Sequence, residues 1–143
     1  MMYVPTEFVW NDKMTTGVPD IDVQHKYLIN FINELGYSIR KNYSPEDIVK
    51  VLKVMKFYVD WHFAKEEECM ERYHCAVAGK NRKAHAVFAE KLHEHQKEYE
   101  NSGGSSELAH RIHEDLANWI VNHITALDTQ LYPYTGQTTP QAT

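Results

Sequence analysis

The chemistry of this chain is carried by imidazoles and carboxylates at helical spacing. His62 and Glu66 lie four residues apart, as do Asn81 and His85, and on a helix each pair shares a face. His25 stands on an earlier segment, and His123 precedes Asp128 by five residues. Imidazole nitrogens combined with carboxylate oxygens suit iron, manganese, zinc or copper. Two carboxylates among six such side chains are enough to bridge two ions in a helical bundle. Nine histidines in 143 residues are the one unusual number in the composition, and spacing decides which of them can meet.

The elements that must position these groups follow from apolar periodicity. Residues 1–19 read as an arm carrying Phe8 and Trp10 and ending at Pro19. The segment "DIDVQHKYLINFINELGYSIRKN" repeats Ile21, Leu28, Ile29, Ile32, Leu35 and Ile39 at helical steps, with Asp20 or Asp22 able to cap it. "NYSPED" supplies a stop and a new start, with Ser44 as N-cap and Pro45 as first helical residue. The second helix runs to about Tyr73 with Ile48, Val51, Met55 and Tyr58 on its stripe. Gly79 is expected to break the chain before a third helix carrying Ala84, Phe88, Leu92 and Tyr99. After "NSGGSS", Ser105 or Ser106 caps a fourth helix striped by Leu108, Ile112, Leu116, Trp119, Ile120 and Leu127. No stretch alternates with a period of two. The expectation is an all-α, antiparallel up-and-down four-helix bundle over residues 20–132, preceded by the arm, with a small polar tail over 133–143 that is disordered.

Projecting each helix at ~100° per residue separates inward from outward histidines. His25, His62, His85 and His123 fall inside the apolar stripes, Glu66 extends the second, Asn81 continues the third by one turn, and Asp128 sits near the end of the fourth. His93, His95, His110 and His113 fall off the stripes and are expected to be solvated or flanking. One histidine in an apolar stripe is usually a core residue with a hydrogen-bond partner. Here each of four helices supplies one, two supply a carboxylate, and no lysine or arginine shares these stripes near the histidines. Buried carboxylates without a buried cation are costly, and a metal completes the charge. Cys69 lies one turn beyond Glu66 and reads as a plain buried cysteine.

Composition bounds the rest. With 15 basic and 20 acidic residues the net charge is −5, and no basic run appears, which argues against nucleic acid. No secretion signal and no apolar run of the ~18 residues that a membrane span needs is visible. The two cysteines form no metal or thioredoxin motif, so the expected compartment is the reducing cytoplasm.

The stretches "GVPDIDVQHKYLINFINEL", "HFAKEEECM", "NRKAHAVF" and "WIVNHITALD" resemble, in order, those of the bacterial hemerythrins, non-haem di-iron oxygen-binding bundles. The resemblance spans residues 8–132. It implies two irons, with His25 and His62 as terminal ligands of one and His85 and His123 of the other. Glu66 and Asp128 would bridge the irons, with a solvent-derived oxygen as a third bridge when oxidised. Trp119 and Ile120 would be the apolar lid of the oxygen pocket.

The departure from the family pattern is Asn81, which stands where the family has a histidine one turn before His85. No other histidine substitutes: His74 is ~16 Å away along a continuous helix, and His93 and His95 are ~12 to 15 Å away on the other side. Asn81 retains a carbonyl oxygen, a weaker neutral donor, or could hold a water in the vacated place. The expected function is binding of dioxygen or a related diatomic, with faster autoxidation than a five-histidine carrier. A sensor of oxygen, nitric oxide or redox state acting through a partner, and a di-iron peroxidase or oxidase-like enzyme, are the competing readings. The enzyme ranks last because the sequence shows neither a poised general acid nor a substrate cleft. Oligomeric state is left open by the sequence.

Overall fold

The computed structural model describes residues 7–135, which contain four long helices: α1 (Pro19–Arg40), α2 (Pro45–Arg72), α3 (Ala78–Asn101) and α4 (Ser106–Ala126). The helices form a closed antiparallel ring in which α1 packs on α2 and α4, and α3 packs on the same two. The expected four-helix bundle with an N-terminal arm is therefore the observed architecture. No strand occurs among the described residues.

Local chemistry sets the helix ends. Ser44 accepts the Asp47 N–H at 3.2 Å, Pro45 follows at the first helical position, and Ser105 accepts the Leu108 N–H at 3.1 Å. Neither Asp20 nor Asp22 caps α1, contrary to expectation. Val18 is its N-cap, and Asp22 Oδ1 instead accepts both the backbone N–H and the hydroxyl of Thr16 at 2.8 and 2.9 Å. That carboxylate ties the arm to the helix. Gly79 does not break the chain either, since it lies in the first turn of α3. The break is at His74, whose φ of +53° lets its N–H reach the Glu71 carbonyl while the Cys75 N–H reaches that of Met70. This is the paired closure of a left-handed helix end, made here without glycine.

The core runs the length of the bundle, through Ile32 and Leu35 of α1, Leu52 and Met55 of α2, Phe88 and Leu92 of α3, and Ile112, Leu116 and Ile124 of α4. On α2 the buried stripe is Ile48, Leu52, Met55 and Val59, one position round from the Val51 and Tyr58 expected, which are half-buried flanks. The arm returns to the bundle where Asn33 exchanges two hydrogen bonds with the Phe8 backbone. After α4 the chain turns at Leu127 into a 3-10 turn over Asp128–Leu131, then a one-turn helix over Tyr132–Thr135. Thr135 donates its hydroxyl to the Thr16 carbonyl at 2.7 Å, so the first residues of the expected tail are ordered against the arm. Its remainder, residues 136–143, lies outside the described residues.

Candidate metal centre

Four helices and one turn converge on a single buried cluster. α1 brings His25, α2 brings His62 and Glu66, α3 brings Asn81 and His85, α4 brings His123, and the 3-10 turn brings Asp128. Asp128 is aimed inward because the helix breaks at Leu127 (φ −115°, ψ −51°), which re-sets the side-chain direction one residue before it. Six of the seven are buried, and the His123 side chain is only 7% exposed.

The carboxylates are shared in a specific way. Glu66 Oε2 lies 2.8 Å from His25 Nε2 and 3.7 Å from His62 Nε2, while Glu66 Oε1 lies 3.0 Å from His85 Nε2. Asp128 divides likewise: Oδ2 is 3.1 Å from His25 Nε2, and Oδ1 is 3.1 Å from His123 Nε2. Each carboxylate thus gives one oxygen to the α1–α2 side and the other to the α3–α4 side. One set of ligand atoms comes from His25, His62 and Glu66, the other from Glu66, His85, His123 and Asp128, each set within 4.8 Å of one another.

The Nε2 atoms of His62, His85 and His123 and Asp128 Oδ1 are buried without a hydrogen-bond partner. For His85 and His123 a carboxylate oxygen is close but the ring N–H would not point at it. Nitrogen and oxygen held this close without a hydrogen bond form an arrangement that a shared cation can satisfy. Asn81 is turned with its Nδ2 donating to Glu66 Oε1 at 3.2 Å, and its Oδ1 is a buried acceptor with no partner.

The electrostatics agree. Burial alone would lower the His25 pKa, but Glu66 and Asp128 outweigh it and push it up to about 10. Burial dominates at His62 and takes it down to about 4 despite Glu66. His85 is raised against its burial by Glu66, Asp128 and Glu67. Burial would raise the Glu66 carboxyl, yet His25 and His85 hold it well below its ordinary value. Among the described residues no lysine or arginine is buried, so without a metal the protonated imidazoles are the only positive charge available to the two carboxylates.

Three surrounding residues escaped the sequence reading. Gln24 Oε1 accepts the His62 Nδ1–H at 2.7 Å, and Glu67 Oε2 accepts that of His85 at 2.9 Å, both fixing the tautomer that leaves Nε2 free to coordinate. Gln24 and Glu67 are sequence neighbours of His25 and Glu66, which was the available signal. Phe63 stacks on His85 with ring centroids 3.7 Å apart. Trp119 stacks on His123 at 4.4 Å and on Phe88 at 4.3 Å, and Ile120 lies in the core. His113 corrects another expectation. It is buried, with a hydrogen bond to the Ile32 backbone, and not solvated; His93 is exposed as expected, and His95 and His110 are half-buried.

Residues 16–135 match the Hemerythrin HHE cation binding domain family. This chain belongs to the hemerythrin family. It is similar to the bacteriohemerythrin of Stenotrophomonas maltophilia, 27% identical over 87% of this chain and 78% of that protein. Its likeness to the bacteriohemerythrin of Pseudomonas aeruginosa PAO1 is 28% over 81% and 73%. The myohemerythrin of Riftia pachyptila is 26% identical over 87% of this chain and 91% of its own. The clustered imidazoles and carboxylates, with their unpartnered Nε2 atoms, fit the di-iron cofactor of this family.

Proposed function

We propose that this chain binds dioxygen, or a related small diatomic, at two irons held in the bundle core, and that it acts as a binding or storage protein and not as an enzyme. His25 and His62 would hold one iron, His85 and His123 the other, with Glu66 and Asp128 spanning both. The observation that carries this reading is the division of each carboxylate's two oxygens between the two histidine pairs. A bound di-iron centre supplies the electrons that reversible dioxygen binding requires.

The chain's own residues do the rest. Gln24 and Glu67 hold two imidazoles in the coordinating tautomer. Phe63 and Trp119 cover the His85 and His123 rings with apolar surface, and with the buried Ile120 they would keep water from a diatomic bound on the α3–α4 side. Cys69 and Cys75 are buried free thiols, in keeping with a reducing cytoplasm. No helix of the described residues is long and apolar enough to cross a membrane.

Asn81 sets this chain apart. Its amide nitrogen engages Glu66, so the amide oxygen is turned away from that carboxylate, and an iron on the α3–α4 side would be held by two imidazoles, His85 and His123. The oxygen-bound state is therefore expected to decay by oxidation faster than with a third imidazole there. Stopped-flow absorbance of the reduced protein mixed with oxygen tests this: Asn81→His should lengthen the decay, and an unchanged decay overturns the role given to Asn81. The same opening favours a second reading, a peroxide-consuming enzyme, which sustained turnover of hydrogen peroxide would reveal.

A further inference from the structure

The exposed faces of α1 and α2 leave a feature that oxygen binding does not use. Val23 and Tyr27 of α1 and Val54, Phe57 and Trp61 of α2 are all between 44% and 81% exposed, with Phe57 at the upper limit. Beside Phe57, Tyr27, Phe31, Tyr58 and Trp61 line an open cleft of about 620 Å³. Tyr58 is its hub, with rings of Phe31, Trp61 and Tyr27 at 5.4, 5.5 and 6.2 Å. An aromatic knob thus stands one helical turn from an aromatic hole.

We propose that a second copy of this chain docks on this face through a two-fold axis, Phe57 of each copy entering the cleft of the other. A two-fold interface must be self-complementary, and the outward stripe of α2 is. With two α2 helices antiparallel and Phe57 opposite Trp61, Val54 falls opposite Ala64, Lys50 opposite Glu68, and Glu46 opposite Arg72. Every one of these residues is exposed, and they recur at steps of three and four along one face of the helix. The centre is apolar and the ends pair opposite charges, twice each by symmetry. Two like-charge meetings fall on its flanks: Lys53 with Lys65, which Asp20 in the same cleft wall offsets, and Asp47 with Glu71, which Lys50 and Arg82 of their own chain offset.

The area is adequate. Taking ~150 to 250 Å² for a fully exposed aromatic, the five apolar side chains offer roughly 500 Å² per copy. That is in the range of the largest, often functional, apolar patch of a monomer, about 300 to 600 Å², and with the charged ends it approaches the ~800 Å² per partner of a standard interface. A dimer with a Kd on the order of 10 µM is expected.

Sedimentation equilibrium of the full iron-loaded chain tests the proposal. Wild type should dimerise, and Phe57→Glu should weaken the dimer by about tenfold or more while leaving the circular dichroism spectrum and iron content unchanged. Lys50→Glu and Glu68→Lys should each weaken it, and the double exchange should restore it, because the two positions meet across the axis. Wild type that stays monomeric at ~100 µM, tenfold above the expected Kd, overturns the proposal and leaves the cleft to another occupant. A dimer indifferent to Phe57→Glu, or a double exchange no better than the singles, overturns it equally.

Discussion

Replacing Glu66 by glutamine keeps the shape of the side chain and removes the charge at the middle of the cluster. In the metal-free protein that charge is balanced by His25, whose pKa rises from 6.5 to about 10 in the fold. Net of the burial penalty that opposes it, the rise corresponds to about 5 kcal/mol of stabilisation of the charged imidazole, supplied by Glu66 and Asp128. Glu66 makes the larger contribution, so Glu66→Gln should cost about 3 kcal/mol where the full interaction is present. A histidine with a raised folded pKa contributes stability that is complete below 6.5 and is lost as pH climbs towards 10. The deficit should therefore be largest near pH 6 and should vanish near pH 10, where wild type buries a carboxylate without its charged partner. Urea denaturation of both metal-free proteins at pH 6, 8 and 10, followed by circular dichroism, measures it. An equal deficit at pH 6 and pH 10 would refute the assignment of Glu66 as the charge partner of His25.

Further expectations concern the supports of the cluster and of the bundle. Gln24→Leu leaves the buried His62 Nδ1 without its 2.7 Å acceptor, and should cost about 1 to 3 kcal/mol in the metal-free protein and roughly 10- to 100-fold in iron affinity by chelator competition. Gly104 has φ +75°, and an added Cβ would meet Pro45 Cβ at 2.7 Å, so Gly104→Ala should lower Tm by the equivalent of about 1 to 3 kcal/mol. Gly79→Ala, inside the first turn of α3 with open space around it, should instead raise stability by about 0.5 to 1 kcal/mol.

The four helices were legible because each carries an apolar stripe at a 3.6-residue period, and Ser44, Pro45 and Ser105 announce their starts. The same periodicity turned His25, His62, Glu66, His85 and His123 inward. Asp128 was a different case: it follows a break in helical geometry at Leu127, so helical projection placed it near the helix end but off the centre of the stripe, and its charge among the histidines, more than its periodicity, made it a candidate. His113 was misread because a flanking position becomes buried when a neighbouring helix crosses it, and Ile32 of α1 does so. The partners Gln24 and Glu67 depend on distances between helices, which no single-helix pattern contains. The end of α2 near Tyr73 was legible, but the break beyond it was assigned to Gly79 because a non-glycine residue, His74, adopts the left-handed turn for which glycine is the customary sign.

The central claim is that two metal ions are held by one shared pair of carboxylates. Iron bound per chain after anaerobic loading, determined together in wild type, His25→Ala, His123→Ala and Glu66→Ala, tests it most directly. The account predicts two irons in wild type and no more than one in each variant, because every substitution removes a ligand of one ion or the bridge between both. A single zinc or no metal in wild type, or an iron content that the three substitutions leave unchanged, would contradict it.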